Sequence, residues 1–130
     1  MSDRICVASK GSEVVEVSAE DLLACCGASC GMGCNGGFPE GAWKFWHSEG
    51  IVSGGLYDSH QGCKPYSIAP CEHHAKGDRP PCNGISETPK CVRKCISDVN
   101  IDYYADKHVG TSVEPAREIC LLQSKSSADD

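Results

Sequence analysis

The chain has 130 residues, of which 40% are hydrophobic and only 6% aromatic, so its length and composition predict one domain or less with a modest core. Its 14 glycines and 7 prolines favour loops over long regular elements. The net charge of −6 argues against a nucleic-acid binder, which normally carries a basic patch, and does not by itself identify a partner.

Helical signals begin near the N-terminus. Residues 4–7 would close a helix that starts further upstream. Ser18 precedes the carboxylate of Asp21 by three residues, which is the spacing of a capping box, so we predict a short helix that runs through Ala24 and ends near Gly27.

A third helix is predicted from Pro39, because proline is tolerated in a first helical turn, to Gly50, which acts as a stop signal. Its apolar residues recur at helical spacing and include both tryptophans of the chain. Burial of these aromatic side chains in the core is the favoured interpretation. The apolar face consists of Ala42, Trp43, Phe45 and Trp46.

The remaining chain is predicted to be mostly irregular. Residues 13–17 alternate loosely and residues 101–104 are compatible with a second strand. Between them, residues 63–95 are rich in proline and cysteine, and long loops of this kind are commonly functional. Residues 111–130 form a divergent polar tail that we expect to be disordered. The predicted fold class is therefore α+β, loop-rich and disulfide-rich.

Eleven cysteines are typical of a disulfide scaffold in an oxidising compartment. The N-terminus, however, lacks the basic and apolar regions of a secretory signal peptide, and no stretch reaches the apolar length of a membrane span. The odd cysteine count leaves at least one thiol without a partner. These observations predict an incomplete product with no membrane partner.

Residues 25–39 contain four cysteines and five glycines, so they cannot form a helix or strand interior. Asn35-Gly36-Gly37 presents main chain with little side-chain cover. A tight turn is one interpretation, since Asn-Gly is a strong turn signal. The other is a surface that pairs with the backbone of an extended peptide, beside an apolar pocket formed by Phe38 and Pro39.

His73 and His74 lie between Cys71 and Cys82. They are either solvated surface histidines or, in an acidic compartment, cationic donors to a carboxylate. A zinc site with the nearby cysteines is a third, less favoured interpretation, because adjacent histidines rarely both reach one ion and paired Cys-x-x-Cys spacing is absent. We predict neither a metal nor a cofactor.

Several stretches together resemble the cathepsin B-like members of the papain family of cysteine peptidases. Papain relatives share the Cys-Asn-Gly-Gly element at residues 34–37, and the paired histidines between Cys71 and Cys82 are specific to the cathepsin B-like group. The resemblance extends to about Gly110. The other matching stretches are residues 2–6, 17–23, 50–57, 63–74, 79–82 and 106–108.

The resemblance implies a partial papain-like peptidase domain over residues 1–110, mainly the helical left domain. It implies that Asn35, Gly36 and Gly37 pair with substrate main chain while Phe38 and Pro39 wall a side-chain pocket. Residues 71–82 would be an occluding loop whose histidines capture the C-terminal carboxylate of a substrate, giving peptidyl-dipeptidase beside endopeptidase activity. It also implies the disulfides Cys25–Cys91, Cys26–Cys30, Cys63–Cys95 and Cys71–Cys82, and leaves Cys6, Cys34 and Cys120 unpaired.

No catalytic residue is expected in this chain. The family nucleophile lies in a Cys-Gly-Ser-Cys-Trp type of motif near the mature N-terminus, which is not present. By resemblance, Met1 lies inside the helix that this motif opens, the oxyanion-hole glutamine lies upstream, and the catalytic His and Asn lie downstream. His108 matches the Asp-Lys-His run that precedes the second domain. A truncated gene model, an alternative transcript or a pseudogene remnant would each explain this.

Three functional hypotheses follow. The favoured one is an inactive fragment of a cathepsin B-like lysosomal cysteine peptidase, lysosomal or extracellular by resemblance, whose whole protein would cleave peptide or protein substrates and bind cystatin-like inhibitors. The alternative is a non-catalytic decoy that binds peptidase inhibitors or propeptides. The third is a disulfide or metal module unrelated to proteolysis.

Overall fold

The computed structural model describes residues 1–74 and 76–110. Three α-helices lie in the first 48 residues: α1 (Ser2–Ala8), α2 (Ala19–Cys25) and α3 (Pro39–Ser48), with single 3₁₀ turns at Gly27–Ser29 and Gly33–Asn35 between α2 and α3. All three helices lie close to their predicted positions. The predicted tail at residues 111–130 lies outside the described residues.

Ser18 is the N-cap of α2, as predicted, and its Oγ accepts a hydrogen bond from the Asp21 N–H at 3.0 Å. The predicted capping box is nevertheless only half formed. The Ser18 N–H donates to the Val52 carbonyl at 2.8 Å, and the Asp21 carboxylate turns into the protein instead of returning to Ser18. Tertiary partners therefore replace the local one.

Helix α3 begins at Pro39 and ends before Gly50, whose φ of +73° is the left-handed conformation that glycine adopts without strain. Trp46 is 2% exposed and packs with Ile5 and Ile51, while Trp43 meets it edge-on with ring centroids 5.5 Å apart. The prediction of a core helix carrying tryptophans is confirmed. This cluster joins α1, α3 and the residue after Gly50.

The α+β prediction needs correction in its β part. The described residues form no strand, only isolated bridges such as Val17 with Ser53 and Ile51 with His108. Residues 101–104, whose sequence is compatible with a strand, do not form one. Asp102 instead starts a turn, because its side chain accepts from the Ala105 N–H at 2.8 Å and its carbonyl from the Asp106 N–H at 3.0 Å.

A buried ionic cluster connects α2 with the later loops. The fully buried carboxylate of Asp21 accepts from the Lys64 ammonium at 3.1 Å, the Lys107 ammonium at 2.9 Å and the Tyr103 hydroxyl at 2.8 Å. We call these four residues the Asp21 cluster. Burial alone would raise the pKa of Asp21, but the hydrogen bonds from Lys107 and Tyr103 and the charges of both lysines outweigh it, so the pKa is lowered.

The C-terminal end of the described chain docks on α3. The Gly110 N–H donates to the Trp46 carbonyl at 3.2 Å, and the Gly110 carbonyl lies 2.8 Å from the His47 Nδ1. Gly110 lies against the Trp46 ring so closely that a Cβ at this position would come within 2.5 Å of the ring. The indole N–H of Trp46 is buried and has no partner within the described residues.

Candidate functional site

The main chain of Asn35, Gly36 and Gly37, which we call the glycine strip, is exposed and fixed by a short antiparallel contact. Gly31 and Gly37 face each other, flanked by hydrogen bonds from the Met32 N–H to the Gly36 carbonyl at 2.8 Å and from the Phe38 N–H to the Cys30 carbonyl at 2.7 Å. In such a pair the N–H and C=O of the facing residues point away from the contact. Among the described residues, these groups of Gly37 have no partner.

Glycine is required on both sides of this contact. A Cβ on Gly31 would lie 2.8 Å from the Gly36 carbonyl oxygen and closer still to the Gly37 Cα, and a Cβ on Gly37 would collide with the Cys30 carbonyl. Real Cβ atoms do not approach other atoms so closely, so any side chain here would separate the two segments.

Phe38 and Pro39 follow the strip and begin α3. Phe38 is 65% exposed although it is a large apolar side chain. Together with Gly36 and Gly37, both residues line a cavity of about 340 Å³ whose other walls include the apolar side chains of α2. The structure thus brings four of the five predicted strip and pocket residues to one cavity.

The paired histidines lie on a separate, projecting loop. His73 and His74 are exposed, their ring centroids are 6.3 Å apart, and the φ of His74 is +56°. His73 lines a second cavity of about 780 Å³ together with Arg79 and Cys34, whereas His74 does not line it. Within the described chain, neither imidazole hydrogen-bonds to another side chain or to the backbone.

The two cavities are neighbours rather than one site. Leu23 of α2 lines both of them, and Cys34, which lines the larger cavity, directly precedes the glycine strip. Tyr66 also lines the larger cavity, and its partial burial, with added repulsion from Cys34 and Glu20, raises the pKa of its hydroxyl. The tyrosine is therefore a neutral hydrogen-bond donor in this wall.

Four disulfides cross-link the described residues, and they join the four pairs that the resemblance implies. Cys6 and Cys34 are half-buried and unpaired within the described residues, whereas Cys120 lies outside them. The bonded pairs are Cys25–Cys91, Cys26–Cys30, Cys63–Cys95 and Cys71–Cys82.

One group of potential metal ligands occurs in the described part of the chain. Donor atoms of Cys71, His73 and Cys82 lie within 4.8 Å of one another. The two sulfurs are bonded to each other, so neither is a thiolate and the group has a single free donor, the His73 imidazole. The oxidised loop therefore does not offer a metal site.

Sequence reasoning missed one residue at this site. Thr88 lines the 340 Å³ cavity, and its hydroxyl accepts a hydrogen bond from the Cys34 N–H at 3.0 Å. The contact spans 54 residues of sequence, and nothing in the local pattern around Thr88 indicates it.

The helices, the disulfides and the glycine strip agree with one known family. The profile described as "Papain family cysteine protease" matches residues 1–122. The chain belongs to the papain family of cysteine proteases.

Within that family, the chain is similar to cathepsin B-like proteins, as its resemblance predicted. It is 52% identical over 115 residues to cathepsin B-like cysteine proteinase 6 of Caenorhabditis elegans, covering 86% of this chain and 30% of that protein. It is 48% identical over 111 residues to a cathepsin B-like cysteine proteinase of Schistosoma japonicum, covering 85% and 32% respectively. The chain thus spans about a third of the length of these relatives.

A solved structure is similar as well. The structure of proCathepsin B S9 from Trypanosoma congolense matches 78% of this chain and 27% of its own chain, with a TM-score of 0.54 and 37% sequence identity. The papain-like character of the fold is confirmed at this level. Separately, no helix in the described part of the chain has the length and apolarity needed to cross a membrane.

Proposed function

We propose that this chain forms one wall of the substrate cleft of a cathepsin B-like cysteine peptidase, in which the glycine strip binds the main chain of an extended peptide. The outward-facing N–H and C=O of Gly37 carry the proposal, since they are exposed, fixed in direction by the Gly31 contact and without a partner in the described chain. An extended peptide would satisfy both groups as an added strand does.

Phe38 and Pro39 would then hold a substrate side chain beside the strip. Their shared cavity with Gly36 and Gly37 supports this role, because a side chain projecting from a peptide paired with Gly37 would meet an apolar wall.

His73 and His74 would bind the C-terminal carboxylate of the peptide, which in the whole protein would add the removal of a C-terminal dipeptide to endopeptidase cleavage. Two exposed imidazoles without protein partners in the described chain support this role. An imidazole that carries a proton on both ring nitrogens donates charge-assisted hydrogen bonds to a carboxylate. The four disulfides fit a lysosomal or extracellular location, because thiols stay reduced in the cytosol.

Residues 1–130 by themselves are proposed to bind but not to cleave. Peptide hydrolysis by this family needs a thiolate activated by a histidine and an oxyanion hole. By resemblance, none of the cysteines and histidines of this chain takes these roles. The same exposed wall would allow a non-catalytic chain to engage cystatin-like inhibitors or propeptides, which is the alternative function.

The test measures binding of a short fluorescent peptide with a free C-terminal carboxylate and of its C-terminal amide at mildly acidic pH. We expect the acid to bind about tenfold more tightly, because it adds hydrogen bonds to a charged group. The double variant His73→Ala/His74→Ala should remove this preference, whereas Gly37→Ala should weaken both peptides equally. His60→Ala is the matched control, since His60 is an exposed histidine paired with Asp98 outside the cavities.

Equal binding of acid and amide by the wild-type chain would refute the carboxylate role. Unchanged peptide binding in Gly37→Ala would refute the role of the glycine strip in binding the peptide main chain. Release of a dipeptide that a thiol-trapping reagent blocks would refute the inactivity of this chain.

A further inference from the structure

Thr88 is the residue of the irregular segment after Cys82 that reaches the glycine strip. Its Oγ1 accepts the Cys34 N–H at 3.0 Å, immediately before Asn35. Cys34 lies in the middle of the 3₁₀ turn Gly33–Asn35, whose last residue is the first of the strip. The hydrogen bond therefore acts on the turn that leads into the strip.

Gly33 allows this close approach. Its φ is +57°, and a Cβ there would lie 2.5 Å from the Thr88 Cγ2, 2.8 Å from the Thr88 Cβ and closer still to Oγ1. A side chain at position 33 would thus push Thr88 away from Cys34 as well as strain the backbone. Gly33 and Thr88 fit each other as a pair.

A disulfide attaches the segment that carries Thr88 to α2. Thr88 lies three residues before Cys91, whose disulfide to Cys25 attaches this segment to the last residue of α2. Both α2 and Thr88 line the 340 Å³ cavity together with Gly36, Gly37 and Phe38. One disulfide and one hydrogen bond thus connect α2, through the segment that carries Thr88, to the turn that precedes the strip.

We propose that Thr88 is a positioning residue that fixes the direction of the glycine strip for peptide binding. Without the hydroxyl, the Cys34 N–H loses its acceptor and the Gly33–Asn35 turn is free to rotate, which changes the direction of the Gly37 main-chain groups. The role rests on the proposed function of the strip and specifies what holds that strip in place.

The experiment compares Thr88→Val, which keeps the shape but removes the hydroxyl, with Thr88→Ser, which keeps the hydroxyl. Three quantities are measured on the full chain: amide hydrogen exchange at residues 34–37 without ligand, affinity for the C-terminal acid peptide, and the urea midpoint of unfolding. Thr88→Val should speed exchange at Cys34 about tenfold, as expected for a lost hydrogen bond of roughly 1.4 kcal/mol. It should weaken peptide binding several-fold at an unchanged midpoint, and Thr88→Ser should restore both.

The outcomes separate the two proposals. If the wild-type chain does not bind the peptide, the proposed function fails and the positioning role fails with it. If the peptide binds and Thr88→Val changes neither exchange nor affinity, or if Thr88→Ser behaves like Thr88→Val, the positioning role alone is refuted. A fall in affinity that only follows a lower midpoint would also refute it, because that is the effect of a purely structural residue.

A second pair of variants tests the fit with Gly33. Gly33→Ala should weaken peptide binding more in the wild-type chain than in a Thr88→Gly background, where the three colliding atoms are gone and only the cost of the left-handed backbone remains. Equal effects in the two backgrounds would overturn the proposal.

Discussion

The Asp21 cluster and the loop at residues 71–82 are held in different ways: the cluster joins side chains from three distant segments, whereas the loop is one continuous stretch. Asp21 is fully buried and has partners on two lysines and a tyrosine from two other segments. Most of the described loop residues are exposed, and within that described part the loop is tied at its base by the Cys71–Cys82 disulfide and two backbone hydrogen bonds between Glu72 and residues 80 and 82. The comparison separates a part of the scaffold that is fixed by buried charge from an exposed loop, which we propose as a recognition element.

The largest effect is expected from breaking the Asp21 cluster. Asp21→Ala would remove the carboxylate partner of the buried Lys64 ammonium and of the half-buried Lys107 ammonium. Removing one partner of a buried ion pair typically costs about 3–5 kcal/mol of unfolding free energy. Urea unfolding measures this loss. Asp98→Asn is the control, since Asp98 pairs with His60 on the exposed surface and its loss should leave the midpoint unchanged. Similar midpoints for the two variants would contradict the central role of the cluster.

An intermediate and local effect is expected from opening the loop. The chain-entropy model assigns about 3 kcal/mol to a bridge that closes a ring of this length. In Cys71→Ser/Cys82→Ser we expect amide exchange at residues 72–81 to speed up more than exchange in α2, because no side chain of the Asp21 cluster comes from the loop. In the wild-type chain the loop amides should already exchange faster than those of α2. Amide exchange in the loop as slow as that in α2 would contradict the proposed difference between a loosely held loop and a fixed scaffold.

A smaller effect is expected from acid. The folded pKa of Asp21 is depressed below its usual 3.8, so its contribution to stability is complete above the unfolded pKa and is lost as pH falls through the folded pKa. The urea midpoint should therefore hold through the mildly acidic range and decline below pH of about 4. Asp21→Asn, which does not titrate, should show a shallower decline. An equally steep decline in that variant would assign the acid sensitivity to other carboxylates.

These two regions also differ in how far the sequence predicts them. The start of α2 is predictable because Ser18 caps the Asp21 N–H three residues away, within one turn. The fate of the Asp21 carboxylate is not, because Lys64, Tyr103 and Lys107 lie 43, 82 and 86 residues further on. The capping-box rule predicts that this carboxylate accepts from the Ser18 N–H. In the structure it accepts from Lys64, Tyr103 and Lys107 instead.

The difference between pattern and structure at residues 101–104 has a similar origin. Two adjacent tyrosines favour a strand by propensity. Asp102, however, starts a turn, because its side chain accepts a hydrogen bond from the Ala105 N–H and its carbonyl accepts one from the Asp106 N–H. That turn directs the Tyr103 hydroxyl to Asp21.

The candidate site was partly accessible from sequence. Residues 35–37 stand out because glycine in a rigid setting marks bare main chain, and His73 and His74 stand out as a pair. The strip glycines and His73 line two neighbouring cavities that share Leu23, and Thr88 reaches Cys34 from a segment that the Cys25–Cys91 disulfide attaches to α2. Neither follows from local pattern.

The close packing of Gly110 on Trp46 gives the chain a spectroscopic reporter. Trp46, one of the two tryptophans of the chain, is 2% exposed, and its ring packs against Gly110 at the end of the segment that also carries Lys107 and His108. Fluorescence from Trp46, isolated by Trp43→Phe, should be blue-shifted while residues 107–110 are docked and should move to longer wavelength when water reaches the ring. The emission colour would then follow the docking of this segment directly, without any added label.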